Sequence, residues 1–136
     1  MAIIMDANVA MAIVKEEKEG LAIKDLILEG EDVFAPDLFK LEVASGFWKY
    51  VHAGYMKKDV ALSYYQAACK LPTHYIRQND LVPEVLQEAT RLDHSIYDVV
   101  YLVLARRMGA TFVSLDRKLV SLCIQEGIDC VEPVQL

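Results

Sequence analysis

Four acids in this sequence stand where a hard cation could be held: Asp6, Glu42, Asp98 and Asp116. Asp6 follows the apolar run Ala2–Met5, and Asp116 comes just after the apolar run 111–114. In an open parallel sheet, ligands gather beyond the C-terminal ends of the strands. Both acids are therefore expected at that edge, and they converge if their strands are neighbours. Asp98 lies in the first turn of a helix over residues 95–106 whose apolar side chains point all the way round, the mark of a helix buried on most sides. A carboxylate there is costly unless something pairs with it. Glu42 lies six residues past Pro36, about 9 Å along a helix that rises 1.5 Å per residue, and could lean over the same edge. Carboxylates round one point suit Mg²⁺, which takes oxygen ligands, activates water and neutralises charge on a phosphate. No cluster of His or Cys competes for a softer metal.

Each acid also has an ordinary structural use. Asp6 and Asp116 fit helix N-caps, a common place for aspartate. Ser95-x-x-Asp98 fits a capping box, with Asp98 reaching back to the Ser95 amide. Glu42 fits the polar arc of its helix, beside Ser45, Gly46, Lys49 and His52. It is the most informative of the four, because it lies too far into the helix to cap it.

The elements that must position these acids follow from the apolar runs and their breaks. Strands are expected at Ala2–Met5, 33–35, 73–77, 111–114 and 130–132. Helices are expected at 7–15, at 16–29 (with Leu21, Leu26 and Leu28 among its apolar positions), at 37–53, 58–71, 83–92, 95–108 and 116–126. Gly30, Gly54, Gly109 and Gly127 stand where helices stop, and Pro83 stands in a first turn. The apolar arc of the third helix holds Phe39, Leu41, Val43, Ala44, Phe47, Trp48, Tyr50 and Val51. Short apolar strands alternating with helices indicate an α/β layered domain with a parallel sheet of four to five strands.

The 136 residues suit one domain with a proper core, and the 54% hydrophobic share supports it. No apolar run approaches the roughly 18 residues of a membrane span, and no leader pattern opens the chain. A cytoplasmic protein with no membrane partner is expected. The net charge of −6 argues against a surface that binds nucleic acid by charge alone. It does not argue against a nuclease, because an acidic cluster carries several of those charges and bound cations reverse the local field.

Cys69, Cys123 and Cys130 lack CxxC spacing, so zinc is not expected and buried thiols are. A disulfide between Cys123 and Cys130 would be unusual in a mesophile's cytosol. Tyr50, Tyr55, Tyr64 and Tyr65 are expected in core or dimer contacts rather than under bases. His52, His74 and His94 show no ligand spacing and are expected at the surface or in loops. Arg117 and Lys118 fit a solvated helix start, with contact to an RNA backbone as the alternative.

Four segments, in order, resemble the motifs of the PIN domain family, most closely its small VapC-like toxins. They are Ile3-Ile4-Met5-Asp6-Ala7-Asn8, Pro36-Asp37-Leu38-Phe39-Lys40-Leu41-Glu42-Val43, Tyr97-Asp98-Val99-Val100-Tyr101-Leu102-Val103-Leu104-Ala105 and Phe112-Val113-Ser114-Leu115-Asp116-Arg117-Lys118-Leu119. The resemblance spans essentially the whole chain, 1–136, as a single domain. It implies an α/β/α sandwich with sheet order 3-2-1-4-5, a Mg²⁺- or Mn²⁺-dependent ribonuclease site, a homodimer and a VapB-like antitoxin as partner. Asp6, Glu42, Asp98 and Asp116 fall on the family's acidic positions and Asn8 on its polar helper position. Ser114 stands where threonine is usual and keeps the hydroxyl. Lys118 and Val120 stand where some relatives carry a further acid or amide, which leaves open whether one metal binds or two. The function expected is an endoribonuclease that hydrolyses RNA by metal-activated water, as the toxin of a VapBC-type pair. The alternative is a catalytically idle PIN-like module acting by dimerisation or RNA binding. A receiver-type phosphotransfer domain also gathers acids at a sheet edge, but Lys118 follows Asp116 too closely for that chemistry.

Overall fold

The computed structural model describes residues 2–27 and 30–131. The elements run β1 (Ala2–Met5), α1 (Ala7–Val14), α2 (Lys18–Leu26), β2 (Asp32–Pro36), α3 (Leu38–His52), α4 (Lys58–Ala68) and β3 (His74–Ile76). A 3-10 turn (Asn79–Leu81) then leads into α5 (Val82–Leu92), α6 (Ile96–Met108), β4 (Thr111–Val113), α7 (Arg117–Gln125) and β5 (Cys130–Val131). All strand pairs are parallel, and the sheet order is β3-β2-β1-β4-β5, as the family resemblance implies.

The period of two along a strand divides the core into two layers. On one side of β1, Ile4 packs with Phe112, Val85, Leu102 and Leu119, from β4, α5, α6 and α7. On the other side Ile3 and Met5 pack with Val33, Val9, Phe39, Val43 and Ala61, from β2, α1, α3 and α4. Helices thus cover both faces of the sheet, as a parallel sheet requires. Residues Val99 to Ala105 of α6 are all buried, so this helix is enclosed as its composition requires. Gly109, at φ 59°, closes it in the left-handed conformation. Gly20 permits the close crossing of α1 and α2: a Cβ there would stand 2.5 Å from the Ala12 carbonyl carbon.

The structure departs from expectation in a few places. The second helix starts at Lys18, because Glu16 turns left-handed (φ 58°) between α1 and α2. Leu28 and Glu29, at the expected end of that helix, and Glu132, at the expected end of β5, lie outside the described residues. The apolar arc of α3 is wider than the face it buries. Phe39, Val43 and Phe47 are enclosed, whereas Leu41 is 73% exposed and Trp48 60%. Tyr50, Tyr64 and Tyr65 lie against the core, but Tyr55 is exposed. Among the described residues Cys69, Cys123 and Cys130 form no disulfide, and only Cys123 is fully buried. No helix among the described residues is long and apolar enough to cross a membrane.

Candidate active site

β1 and β4 are neighbours with Met5 opposite Val113, so the residues that follow them meet at one edge of the sheet. The Asp6 amide donates to the Val113 carbonyl at 3.0 Å and carries the pairing one step further. Asp6 is buried and caps α1: its Oδ1 accepts from the Ala7 amide at 2.8 Å. Its Oδ2 accepts from the Ser114 hydroxyl at 2.7 Å and from the Asn8 side-chain amide at 3.3 Å. Asn8 Oδ1 in turn accepts from the Leu115 amide at 3.0 Å. Asn8 and Ser114 therefore lace the ends of the two strands together around Asp6.

Ser114 Oγ also accepts from the Asp116 amide at 3.0 Å. Asp116 caps α7 with Oδ1 alone, which accepts from the Lys118 and Leu119 amides, both at 3.1 Å. The capping roles of Asp6 and Asp116 are thus real, and they are compatible with a site at the same edge.

Glu42 reaches the edge from the second turn of α3, half-buried. The Tyr101 hydroxyl, from α6, donates to its Oε1 at 2.6 Å. Asp98 sits in the first turn of α6, and the capping box that Ser95-x-x-Asp98 would allow is not formed; Ser95 makes no side-chain cap bond. The His94 imidazole holds Asp98 instead, with Nε2 at 3.0 Å from Oδ2. A carboxylate only accepts, so Nε2 carries the proton.

The acids feel one another. Burial first, then the charges of Glu42 and Asp98, push the Asp6 pKa up to about 7, against the pull of the Ser114 hydroxyl and the Ala7 amide. Burial and the Asp98 charge raise the Glu42 pKa, and the Tyr101 hydrogen bond opposes them. Burial, with the charges of Asp6 and Glu42, keeps the Tyr101 hydroxyl protonated far above the usual phenol range.

The family model for the PIN domain matches residues 3–125. The chain belongs to the PIN domain family. It is 26% identical over 127 residues to ribonuclease VapC3 of Pyrobaculum aerophilum, which covers 88% of this chain and 92% of that protein. The crystal structure of PAE2754 from Pyrobaculum aerophilum is similar in fold, with a TM-score of 0.69 at 16% identity over 93% of this chain and 96% of that one. So is VapBC2 from Rickettsia felis, solved bound to a DNA fragment from their promoter, with a TM-score of 0.67 at 15% identity over 97% of this chain and 98% of that one.

In this PIN domain the field couples Asp6, Glu42 and Asp98, and Asp116 joins through the shared Ser114 hydroxyl. The expected meeting of four carboxylates round one point is not realised in the side-chain positions. Among the described residues no three His, Cys, Asp or Glu side chains are grouped so as to hold a metal ion. The cause is local: Asp98 turns to His94, Asp116 to its cap amides, and both oxygens of Asp6 accept protein hydrogen bonds.

The donor chemistry nonetheless fits a hard divalent cation. All four groups are carboxylates, three repel one another, and a cation would relieve that repulsion. Among the described residues, Glu42 Oε2, Asp98 Oδ1 and Asp116 Oδ2 make no hydrogen bond, so each of these three acids keeps one oxygen for a ligand, whereas both oxygens of Asp6 already accept.

Two residues of the site escaped the reading of the sequence as site members. His94 was expected at the surface or in a loop and does lie in the loop between α5 and α6, but its bond to Asp98, with the side chain only 14% exposed, was not foreseen. Its spacing of four from Asp98 was the available signal. Tyr101 stood in a recognised motif, but its partner Glu42 lies 59 residues away, so no local pattern joins them.

Proposed function

We propose that this PIN domain is a divalent-cation-dependent endoribonuclease that hydrolyses RNA phosphodiester bonds. We propose further that it is the toxin of a VapBC-type pair, restrained by a VapB-like antitoxin. The observation that carries the proposal is the gathering of Asp6, Glu42 and Asp98, mutually repelling and partly or wholly buried, at the strand edge of a PIN fold. The likeness to a protein named ribonuclease VapC3 and to the VapBC2 structure supports it. An idle dimerisation or RNA-binding module would have no use for acids held at this cost, and that alternative is not favoured.

Asp6, Glu42, Asp98 and Asp116 would hold Mg²⁺ or Mn²⁺. Bound there, the cation would lower the pKa of a water and neutralise charge on the phosphate in the transition state. The chain's own groups supply the rest. Tyr101 fixes Oε1 of Glu42 and leaves Oε2 to complete the cation's shell or, in its place, to orient the attacking water. Asn8 and Ser114 keep Asp6 and the start of α7 in register, so the acids hold their places when the substrate arrives. A homodimer belongs to the same proposal. Trp48 on α3 and Tyr55 just beyond it are exposed aromatics of the kind enriched at interfaces.

Incubation of the purified protein with end-labelled single-stranded RNA, in Mg²⁺, in Mn²⁺ and in chelator, tests the activity. Asp98→Asn and Glu42→Gln run beside it. Cleavage that needs the cation and disappears in both variants is expected. Cleavage that persists in chelator, or in both variants, contradicts the proposal.

A further inference from the structure

We propose that His94 is a positioning residue for Asp98, fixing one carboxylate oxygen so that the other is presented to the cation; this rests on the cation-dependent reading above. The observation behind it is a choice the structure makes between two partners. Asp98 lies three residues after Ser95, and the nearest bond open to it is the capping box on the Ser95 amide. That box is not formed, and Asp98 Oδ2 bonds His94 Nε2 instead.

The backbone before His94 is arranged to allow this. α5 ends on Asp93, a non-glycine residue in the left-handed region (φ 51°, ψ 52°). A side chain with a Cβ disfavours that conformation, although aspartate tolerates it better than most. The turn is closed by the His94 amide, which donates to the Ala89 carbonyl at 3.1 Å. It delivers the imidazole over the first turn of α6. The His94 side chain is 14% exposed and that of Asp98 31%, so the bond is sheltered from the solvent that weakens open surface pairs.

Glu42 is treated in the same way from the other side. Tyr101 holds its Oε1, as His94 holds Oδ2 of Asp98, and one oxygen of each acid makes no hydrogen bond among the described residues. Ligating carboxylates are commonly oriented by such outer partners.

The test is Mn²⁺ binding at equilibrium, followed by the electron paramagnetic resonance of the free ion, for wild type, His94→Leu and His94→Gln. Leucine keeps bulk and removes the donor. Glutamine carries an N–H of similar reach. The leucine variant is expected to bind Mn²⁺ about tenfold or more weakly, the size of effect usual for outer partners of a metal site. The glutamine variant is expected to keep most of the affinity, a rescue that a purely packing role would not produce. If circular dichroism shows the leucine variant unfolded, His94→Ala, which has no apolar side chain to place at this half-open site, takes its position in the comparison. Wild-type affinity in the leucine or alanine variant, or a glutamine variant as weak as the leucine one, overturns the role of His94 alone. A folded wild type that binds no Mn²⁺ overturns the cation-dependent reading and this proposal together.

Discussion

The two ends of α6 treat carboxylates in opposite ways. At the N-terminal end, Asp98 shares its field with Asp6 and Glu42, and the groups that answer them among the described residues are hydroxyls, amides and an imidazole, with no arginine or lysine among them. At the C-terminal end, Arg106 meets Glu84 at 3.2 Å and Glu88 at 2.7 Å, and Arg107 meets Glu84 at 2.7 Å. Arg91, from α5, joins Glu88 at 2.7 Å and also bridges to Glu126. The shifts diverge accordingly. Hydrogen bonds from Arg91 and Arg106 pull Glu88 down to about 2, and Arg107 lowers Glu84. Asp6 is pushed up to about 7 and Glu42 is raised as well. The arginine end serves the fold: opposite charges alternate across α5, α6 and α7, and the cations sit at the helix terminus where the dipole favours them. The acidic end works against the fold. A chain that supplies three arginines to one end of a helix and none of these to the other leaves positive charge to be brought from outside.

The contrast is sharpest in the pH dependence of stability. A buried acid with a raised pKa is neutral in both states below about pH 4. As pH rises, the unfolded chain loses its proton first, so stability falls across the interval from 3.8 to about 7 and stays low above it. For Asp6 the limit is roughly 4 kcal/mol, since each unit corresponds to about 1.4 kcal/mol. Urea unfolding of the wild type in chelator is expected to show this decline between pH 4 and pH 8. In Asp6→Asn most of it should vanish. The paired end has the reverse sign. Stability from Glu84 and Glu88 is present above their ordinary range and is lost as pH falls toward about 2. A stability that rises from pH 4 to pH 8 in chelator, unchanged in Asp6→Asn, would mean that burial and the neighbouring charges do not raise Asp6.

A cation should cancel the penalty at one end and ignore the other. Saturating Mn²⁺ at pH 8 is expected to stabilise the wild type by about 3 kcal/mol at a hundredfold excess over its dissociation constant. Glu42→Gln should gain much less, and Arg107→Ala should gain as much as wild type. Equal stabilisation of all three, followed by thermal melting, would place the cation elsewhere.

Smaller effects separate the individual bonds. Tyr101→Phe removes only a hydroxyl and leaves Glu42 Oε1 without its donor. It is expected to cost about 1–3 kcal/mol, the range for a buried group left unsatisfied, measured by urea unfolding. At the arginine end, Arg107→Ala is expected to cost less than about 1 kcal/mol and to lose even that in high salt, because the pair lies open to solvent. A loss at Arg107 larger than that at Tyr101 would reverse the comparison.

Much of this was legible along the chain because the forces responsible are local. Apolar runs marked the strands, glycines marked the helix stops, and the all-round apolar surface of residues 99–105 marked α6 as buried. Asp6 and Asp116 could be placed at one edge because each follows a strand, and their capping roles could be foreseen for the same reason. What could not be seen depends on contacts between distant segments. The Tyr101–Glu42 bond spans 59 residues. The arginine cluster draws on three helices. The exposure of Leu41 and Trp48 reflects how little of α3 its neighbours cover, which a helical wheel does not record. For Asp98 the local alternative that the chain offered was the Ser95 capping box; its bond to His94, four residues earlier and just past the left-handed turn at Asp93, was not foreseen.

The central claim is that the acids gathered at the sheet edge are a cation site, and proton release on Mn²⁺ binding tests it most directly. With a pKa of about 7, Asp6 is mostly protonated at pH 6 and must lose that proton to serve as a ligand. Calorimetric titrations in buffers of different ionisation enthalpy are expected to show about one proton released per Mn²⁺ at pH 6. The release should be far smaller at pH 8.5, and absent at both in Asp6→Asn. Binding with no proton release at pH 6, or release unchanged in Asp6→Asn, would contradict the account.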